Sequence, residues 1–302
     1  MAKTNKKGSI KRGGRIFFYT MVAIPILQFL IFYVGVNINS FLMAFQNYDN
    51  SSGKEIITWT FDNFKQIFSA DMGKDLLKCL KNSLIYFCVF FINMPLSLLF
   101  AYYIFKQYHG SKVFKLILFL PSIVCVTALV VFYKYFVNNG IGSIVGESII
   151  GPIYHPAQQF VLILFYAVLD LSINILLYIN AFSRVSPAIM EAAQVDGANE
   201  LQVFLHVIVP EVWGSVVSLL MVCFAGIATN QACLFMFFGF FANAEYQTIG
   251  YYLFNLVQEK GNGDTEIMYR LASALGLILT LVLAPIAILV RNALLKHGPS
   301  ED

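Results

Sequence analysis

Apolar residues in this chain neither alternate nor follow one helical stripe. They gather into blocks of about twenty, the length an α-helix needs to cross a hydrocarbon layer of roughly 30 Å. Six blocks, over about residues 16–36, 83–105, 114–136, 160–180, 212–238 and 271–290, each predict a membrane-spanning helix. A further apolar stretch, 248–257, has about ten residues and is too short to span, so it reads as an interfacial or re-entrant piece. The expected fold is an all-α integral membrane protein with six transmembrane helices, and an even count places both termini on one side. In that scheme a basic tail (1–15) precedes a transmembrane domain (16–292) and a short tail (293–302).

Composition agrees. Of 302 residues, 58% are hydrophobic and 12% charged, half the charge of a soluble chain, at about 25%. Disordered, collagen-like, coiled-coil and small secreted classes are excluded. The balance of 20 Lys+Arg against 17 Asp+Glu lacks the dense basic face of a nucleic-acid binder. The first block follows a basic tail, as a signal peptide would, but it is long for one and closes without a small-x-small cleavage site, so it reads as a retained helix. Cys79, Cys88, Cys125, Cys223 and Cys233 show no C-x-x-C spacing and read as small packing residues.

Short-loop lysines and arginines set the orientation. Lys3, Lys6, Lys7, Lys11, Arg12 and Arg15 precede the first span, Lys106, Lys112 and Lys115 join the second to the third, and Arg291 and Lys296 follow the last. The connection 138–159 has no Lys or Arg. Both termini and the loops near 110 and 195 are expected in the cytoplasm, with 37–82 and the loops near 145 and 255 outside.

Polar side chains within spans usually face protein or a wet cavity. Asp170 and Asn174 share a face of the fourth span, with Asn180 at its end, and Thr229, Asn230 and Gln231 form a polar run in the fifth. These five candidates, Asp170, Asn174, Thr229, Asn230 and Gln231, fit a translocation path equally as well as interhelical hydrogen bonding. Asn93 and Gln28 fit the packing role better. No P-loop, no H-E-x-x-H and no convincing Ser/His/acid set is present. No catalytic residue, cofactor or metal site is expected in this chain, and uphill movement would draw its energy from a partner.

The segment 184–210 between the fourth and fifth spans predicts two short helices. Ser186 and Pro187 suit a helix start, Asp196-Gly197 a turn, and Asn199 with Gln202 a capping box, before a break at Val209-Pro210. Such a compact pair could dock into a groove of another protein, with Glu191 available to an arginine there, or could simply connect two spans.

Here the chain resembles a known family. Glu191-Ala192-Ala193, then Gly197, then Ile208-Val209-Pro210 is similar to the EAA signature of binding-protein-dependent ABC importer permeases, and Asp196-Gly197-Ala198 with Phe204 to their carbohydrate-uptake branch. Trp59, Phe61-Asp62-Asn63-Phe64, Asn82-Ser83-Leu84, and Tyr269 with Ala272-Ser273-Ala274 extend the likeness over most of 15–292, nearest the first, maltose-permease-F-like subunit. Two features depart from the pattern. Gly239-Phe240-Phe241-Ala242-Asn243-Ala244 replaces the usual Gly-Gly-Pro, and Asp170 stands where glycine or an aromatic residue is common.

The resemblance implies a multi-pass subunit of the bacterial inner membrane that imports a sugar or oligosaccharide. Glu191, Ala192, Ala193, Asp196, Gly197 and Ala198 would form the coupling helix and turn. The implied partners are a second homologous permease, two ATPase subunits that bind ATP and Mg, and an extracellular solute-binding protein. The alternatives are a glycerol-phosphate-type substrate, or an ion-coupled secondary transporter using Asp170.

Overall fold

The computed structural model describes residues 6–49, 56–151, 153, 155–258 and 265–298, so Lys3 of the basic tail lies outside the described residues. The chain divides into two compact units: residues 1–67 with 262–277, and residues 68–261 with 278–302.

In the first unit, α1 (Lys6–Gln28) runs through wider π turns at Phe29–Gly35 into α2 (Val36–Ala44). Pro25 lies one turn before the widening, and π turns are a common accommodation of a disturbed hydrogen-bond ladder. The apolar side chains of this span are exposed, as lipid or another chain would require. Next comes a hairpin, β1 (Gln46–Asp49) antiparallel to β2 (Ile56–Trp59), with Gln46 opposite Trp59. Hydropathy gave no hint of it. The short helix α3 (Asp62–Ile67) follows, and Thr60 Oγ1 donates to Asp62 Oδ2 at its start. Buried Asn63 donates to the carbonyls of Ala44 and Gln46, 3.0 Å each, tying hairpin to helix end. Phe45, Phe61 and Phe64 cluster around that tie. Arg270 is buried and donates to Asn47 Oδ1 at 2.6 Å.

The second unit is built on α4 (Ala70–Phe105). The expected third span is not one straight helix: α5 (Ser111–Ile123) and α6 (Val126–Tyr135) meet at a 100° bend. Val124 and Cys125 are extended at the bend. Pro121 lies two residues before α5 ends and offers no N–H to its last turn. After π turns at Phe136–Ile141 and the short α7 (Gly142–Val145) comes α8 (Gln158–Phe182), the straight fourth span.

The chain continues through α9 (Pro187–Val195) and α10 (Glu200–Val203), π turns at Phe204–Ile208, α11 (Val209–Glu211) and α12 (Trp213–Thr229). The expected break near Val209-Pro210 falls at Val212, whose backbone (φ −98°, ψ 6°) is not helical and separates α11 from α12, although its N–H still donates to the Ile208 carbonyl at 3.1 Å. The wider turns before Pro210 take up a ring that would crowd an α-helix.

A break does fall inside the fifth span, after Thr229. α12 ends there, Ala232 and Cys233 adopt left-handed backbone, and α13 (Leu234–Phe238) restarts. The short apolar piece is α14 (Ile249–Gln258), with Ile249, Gly250 and Tyr251 buried. The last helix, α15 (Thr265–His297), contributes to both units. Among the described residues, five helices are long and apolar enough to cross a membrane, and the bent pair makes a sixth span if counted as one. The protein is a multi-pass helical membrane protein.

Two apolar cores lie along α4 and α8. One gathers Tyr102, Ile175, Tyr178, Phe182, Phe204 and Ile208; the other Tyr86, Val130, Leu162, Phe165, Phe237 and Tyr251. At one end of α4, Asn82 donates to the carbonyls of Glu245 and Gln247 and accepts from Gln159. At its other end, Tyr102 and Lys106 meet Glu200. The loop near 195 therefore sits at the Lys106 end of the bundle, away from residues 159 and 245–247.

Candidate functional site: a polar cavity and a capped loop

Between the two cores lies a cavity of about 370 Å³, at the small end of the range for ligand sites, about 300–1,000 Å³. α4 lines it with Ser83, Tyr86, Phe87 and Phe90; α8 with Tyr166, Asp170, Ile173, Asn174 and Leu177. α12 and the break beyond it add Cys223, Gly226, Thr229 and Asn230, and Thr248 closes one side. Four of the five path candidates thus converge: Asp170, Asn174, Thr229 and Asn230. Gln231 does not line the cavity, and Asn180 is exposed. Gln28 is exposed on α1.

The polar run of the fifth span sits at the break: Thr229 ends α12, and Asn230 and Gln231 follow it outside any helix. Asn230 Oδ1 accepts from the Ala232 N–H at 2.8 Å, and its carbonyl accepts from Thr248 Oγ1 at 2.8 Å. Its amide donates to the Tyr166 hydroxyl at 2.6 Å. These bonds satisfy backbone groups that a broken helix leaves open within the membrane. A Cβ on Gly250 would lie 2.5 Å from the Thr229 carbonyl carbon and 2.7 Å from the Asn230 oxygen. Only glycine lets α14 approach the break so closely.

Asp170 is half-buried and accepts from Asn93 Nδ2 at 2.8 Å. The same amide donates to the Ala167 carbonyl at 2.9 Å, so Asn93 bridges α4 and α8 as packing predicted. Asn174 stands near that carboxylate, but its buried Nδ2 reaches no acceptor at hydrogen-bond geometry. The Tyr178 hydroxyl one turn on is also buried and unpaired. Sequence reasoning missed Tyr86, Tyr166, Ser83 and Thr248. Tyr166 was within reach, since 166, 170 and 174 are four apart and share a helix face.

The loop at the opposite end is firmly capped. Gly197 has φ +83°, its N–H donates to the Gln194 carbonyl at 3.1 Å, and Ala198 N–H donates to the Ala193 carbonyl at 3.0 Å. This is the paired-bond glycine stop of a helix. Asn199 and Gln202 form the reciprocal box, at 2.8 and 2.9 Å. Ser186 occupies the N-cap position with Pro187 after it, but its side chain makes no capping bond, a departure from expectation. No residue of α9 is buried, and Val195 is 88% exposed.

Glu200 anchors the loop to α4. It accepts from the Tyr102 hydroxyl at 2.6 Å and pairs with Lys106 at 3.2 Å. The Tyr102 hydrogen bond, ahead of the Lys106 contacts, holds the Glu200 carboxyl below its ordinary value.

No group of three or more potential metal ligands occurs among the described residues, and all five cysteines are free. A broken span thus borders a polar cavity, and a capped loop lies at the far end of the bundle.

The chain is similar to known transport permeases. Over 221 residues, 69% of each chain, the protein is 24% identical to the probable ABC transporter permease YesP of Bacillus subtilis. It is 25% identical over 217 residues, 66% of each chain, to the arabinooligosaccharide transport permease AraP of the same organism. It is 24% identical over 200 residues, 64% of this chain and 66% of the other, to the sn-glycerol-3-phosphate transport permease UgpA of Pectobacterium atrosepticum. No protein-family profile matches the chain. In fold it matches a chain of a bacterial alginate ABC importer with TM-score 0.71 at 20% identity, covering 98% of this chain and all of that one. A second structure of an alginate ABC transporter, in complex with a pentasaccharide-bound periplasmic protein, gives 0.68 at 21% identity, over 96% and 97%. The chain is thus similar in sequence to ABC transporter permeases and shares the fold of an alginate importer chain.

Proposed function

We propose that this chain is one of two homologous permeases, the first of the pair, in a bacterial inner-membrane importer for a sugar or oligosaccharide. The observation that carries the reading is the cavity. Aromatic rings of Tyr86, Phe87, Phe90 and Tyr166 stand beside the polar groups of Ser83, Asn174, Thr229 and Asn230, and sugar rings offer the matching apolar faces and hydroxyls. The similarity to AraP, an arabinooligosaccharide transport permease, supports the same substrate class.

Both termini and the 184–210 loop lie in the cytoplasm. There α9, with Glu191, Ala192, Ala193, Asp196, Gly197 and Ala198, docks on one of two ATPase subunits that bind ATP and Mg. Hydrolysis belongs to those partners, and this chain performs no covalent chemistry. A solute-binding protein delivers cargo at the opposite face. ATP-driven motion of α9 is passed through Glu200 and Phe204 to α4 at Tyr102, the contacts that join loop to bundle.

The test is purification of the tagged chain in mild detergent, with stoichiometry, followed by uptake in liposomes. A second permease and two ATPase copies, with ATP-dependent uptake, are expected. A chain that is recovered alone and transports on an ion gradient without ATP would overturn the reading.

A further inference from the structure

Asp170 brings a carboxylate to the cavity, and no Lys, Arg, His or second acid lines it. The Asn93 amide that donates to it is neutral. In its ionised form the carboxylate is held by that amide dipole, without a counter-ion among the lining residues. Asn174, one turn on, lines the same cavity. An anionic ligand here would be repelled across a poorly screened distance, whereas a neutral ligand is indifferent and an ammonium group attracted.

We propose that Asp170 makes this cavity select by charge, admitting neutral or amine-bearing saccharides and turning away uronate- or phosphate-bearing ones. The saccharide part rests on the function proposed above; the charge selection does not. Cys223 lines the same cavity and supplies an internal probe.

In the assembled transporter, with the other four cysteines of this chain replaced by serine or alanine, Cys223 is labelled with a cationic and an anionic methanethiosulfonate of similar size. Rates are followed by mass on this chain and normalised to a free thiol in solution. The cationic reagent is expected to react faster by about tenfold or more. Asp170→Asn should bring the ratio close to one, and Asp170→Glu should keep it, separating charge from folding. Equal normalised rates in the parent, or labelling by neither reagent, would overturn the proposal. A glucosamine trisaccharide should slow Cys223 labelling and a uronate trisaccharide at the same concentration should not. Equal protection by the uronate would overturn the selection. If no saccharide protects while the reagent ratio still follows Asp170, the charge selection stands and the sugar reading fails.

Discussion

The two candidate functional regions of the bundle share α4, α8 and α12 but are built on opposite terms. At the capped-loop end, Ile175, Tyr178, Phe182, Val203 and Ile208 have essentially no exposure. The Asp196-Gly197 turn and the Asn199–Gln202 box satisfy the helix ends between them. Around the cavity a span is broken, two residues hold left-handed backbone, and Ser83, Asp170, Asn174, Thr229 and Asn230 put polar groups on the wall. Tight packing suits an element that must transmit force without deforming, because close-packed interiors have low compressibility. A site that must take up and release cargo needs the reverse, polar capacity left open for a ligand.

That contrast can be broken most sharply at Gly250. Gly250→Ala puts a methyl group against the backbone of Thr229 and Asn230, which have no side-chain freedom with which to yield. Overpacking of this kind costs about 1–3 kcal/mol. We expect the upper part of that range, read as a lowered midpoint of thermal unfolding in detergent, together with loss of transport. An unchanged midpoint would mean that α14 does not rest on the break.

Asn93→Leu sharpens the comparison from within the cavity wall. It removes the donor to both Ala167 and Asp170, and a buried acceptor left unpaired costs about 1–3 kcal/mol. The expected loss is near the middle of that range, since Asp170 is only half-buried and water can replace part of the bond. A double-mutant cycle with Asp170→Asn should show coupling between the two residues; additivity would deny the link.

Glu200→Gln should be the mildest. The carboxylate is about half exposed and its lysine partner largely covered, so its worth is at most about 1 kcal/mol after solvent screening. Its pKa is lowered in the folded protein, chiefly by the Tyr102 hydroxyl. The contribution is therefore complete above the ordinary carboxyl value and is lost as pH falls through the lower folded one. The parent's stability advantage over Glu200→Gln should be flat at neutral pH and vanish in acid. An advantage that grew on acidification would contradict the assignment.

Much of this was legible in the sequence because hydropathy reports on span length and local chemistry reports on caps. Blocks of about twenty residues located the spans, and Asp196-Gly197 with Asn199 and Gln202 gave the stop and the box, which depend on neighbouring residues alone. The motif residues then acquired reasons: Asn63 ties the hairpin to the helix end, Asn82 holds the carbonyls of Glu245 and Gln247, and Ser83 Oγ accepts the Ile249 N–H. What hydropathy could not convey was direction. The 100° bend at Val124-Cys125 and the break at Asn230–Cys233 lie in apolar surroundings that score like straight helix. Pro210 marked a break that falls two residues on, at Val212, with wider turns upstream. Cavity residues such as Tyr86 and Thr248 were invisible because tyrosines count among the apolar residues and Thr248 lies 18 positions from its partner, Asn230. Long-range pairing of this kind leaves no periodic trace.

The central claim is that force enters at the capped loop and is spent at the cavity, and Gly197 tests it most directly. Its φ of +83° disfavours a side chain, and no heavy atom lies within 4 Å of a Cβ placed there. A β-branched residue would strain the turn by about 1–2 kcal/mol without a clash. Gly197→Val should be assembled with the ATPase and binding-protein partners proposed above in liposomes, and ATP hydrolysis and uptake measured together. The account predicts an assembled complex whose hydrolysis persists while uptake falls at least about tenfold, a change that corresponds to about 1.4 kcal/mol. Uptake per ATP equal to that of the parent would contradict it.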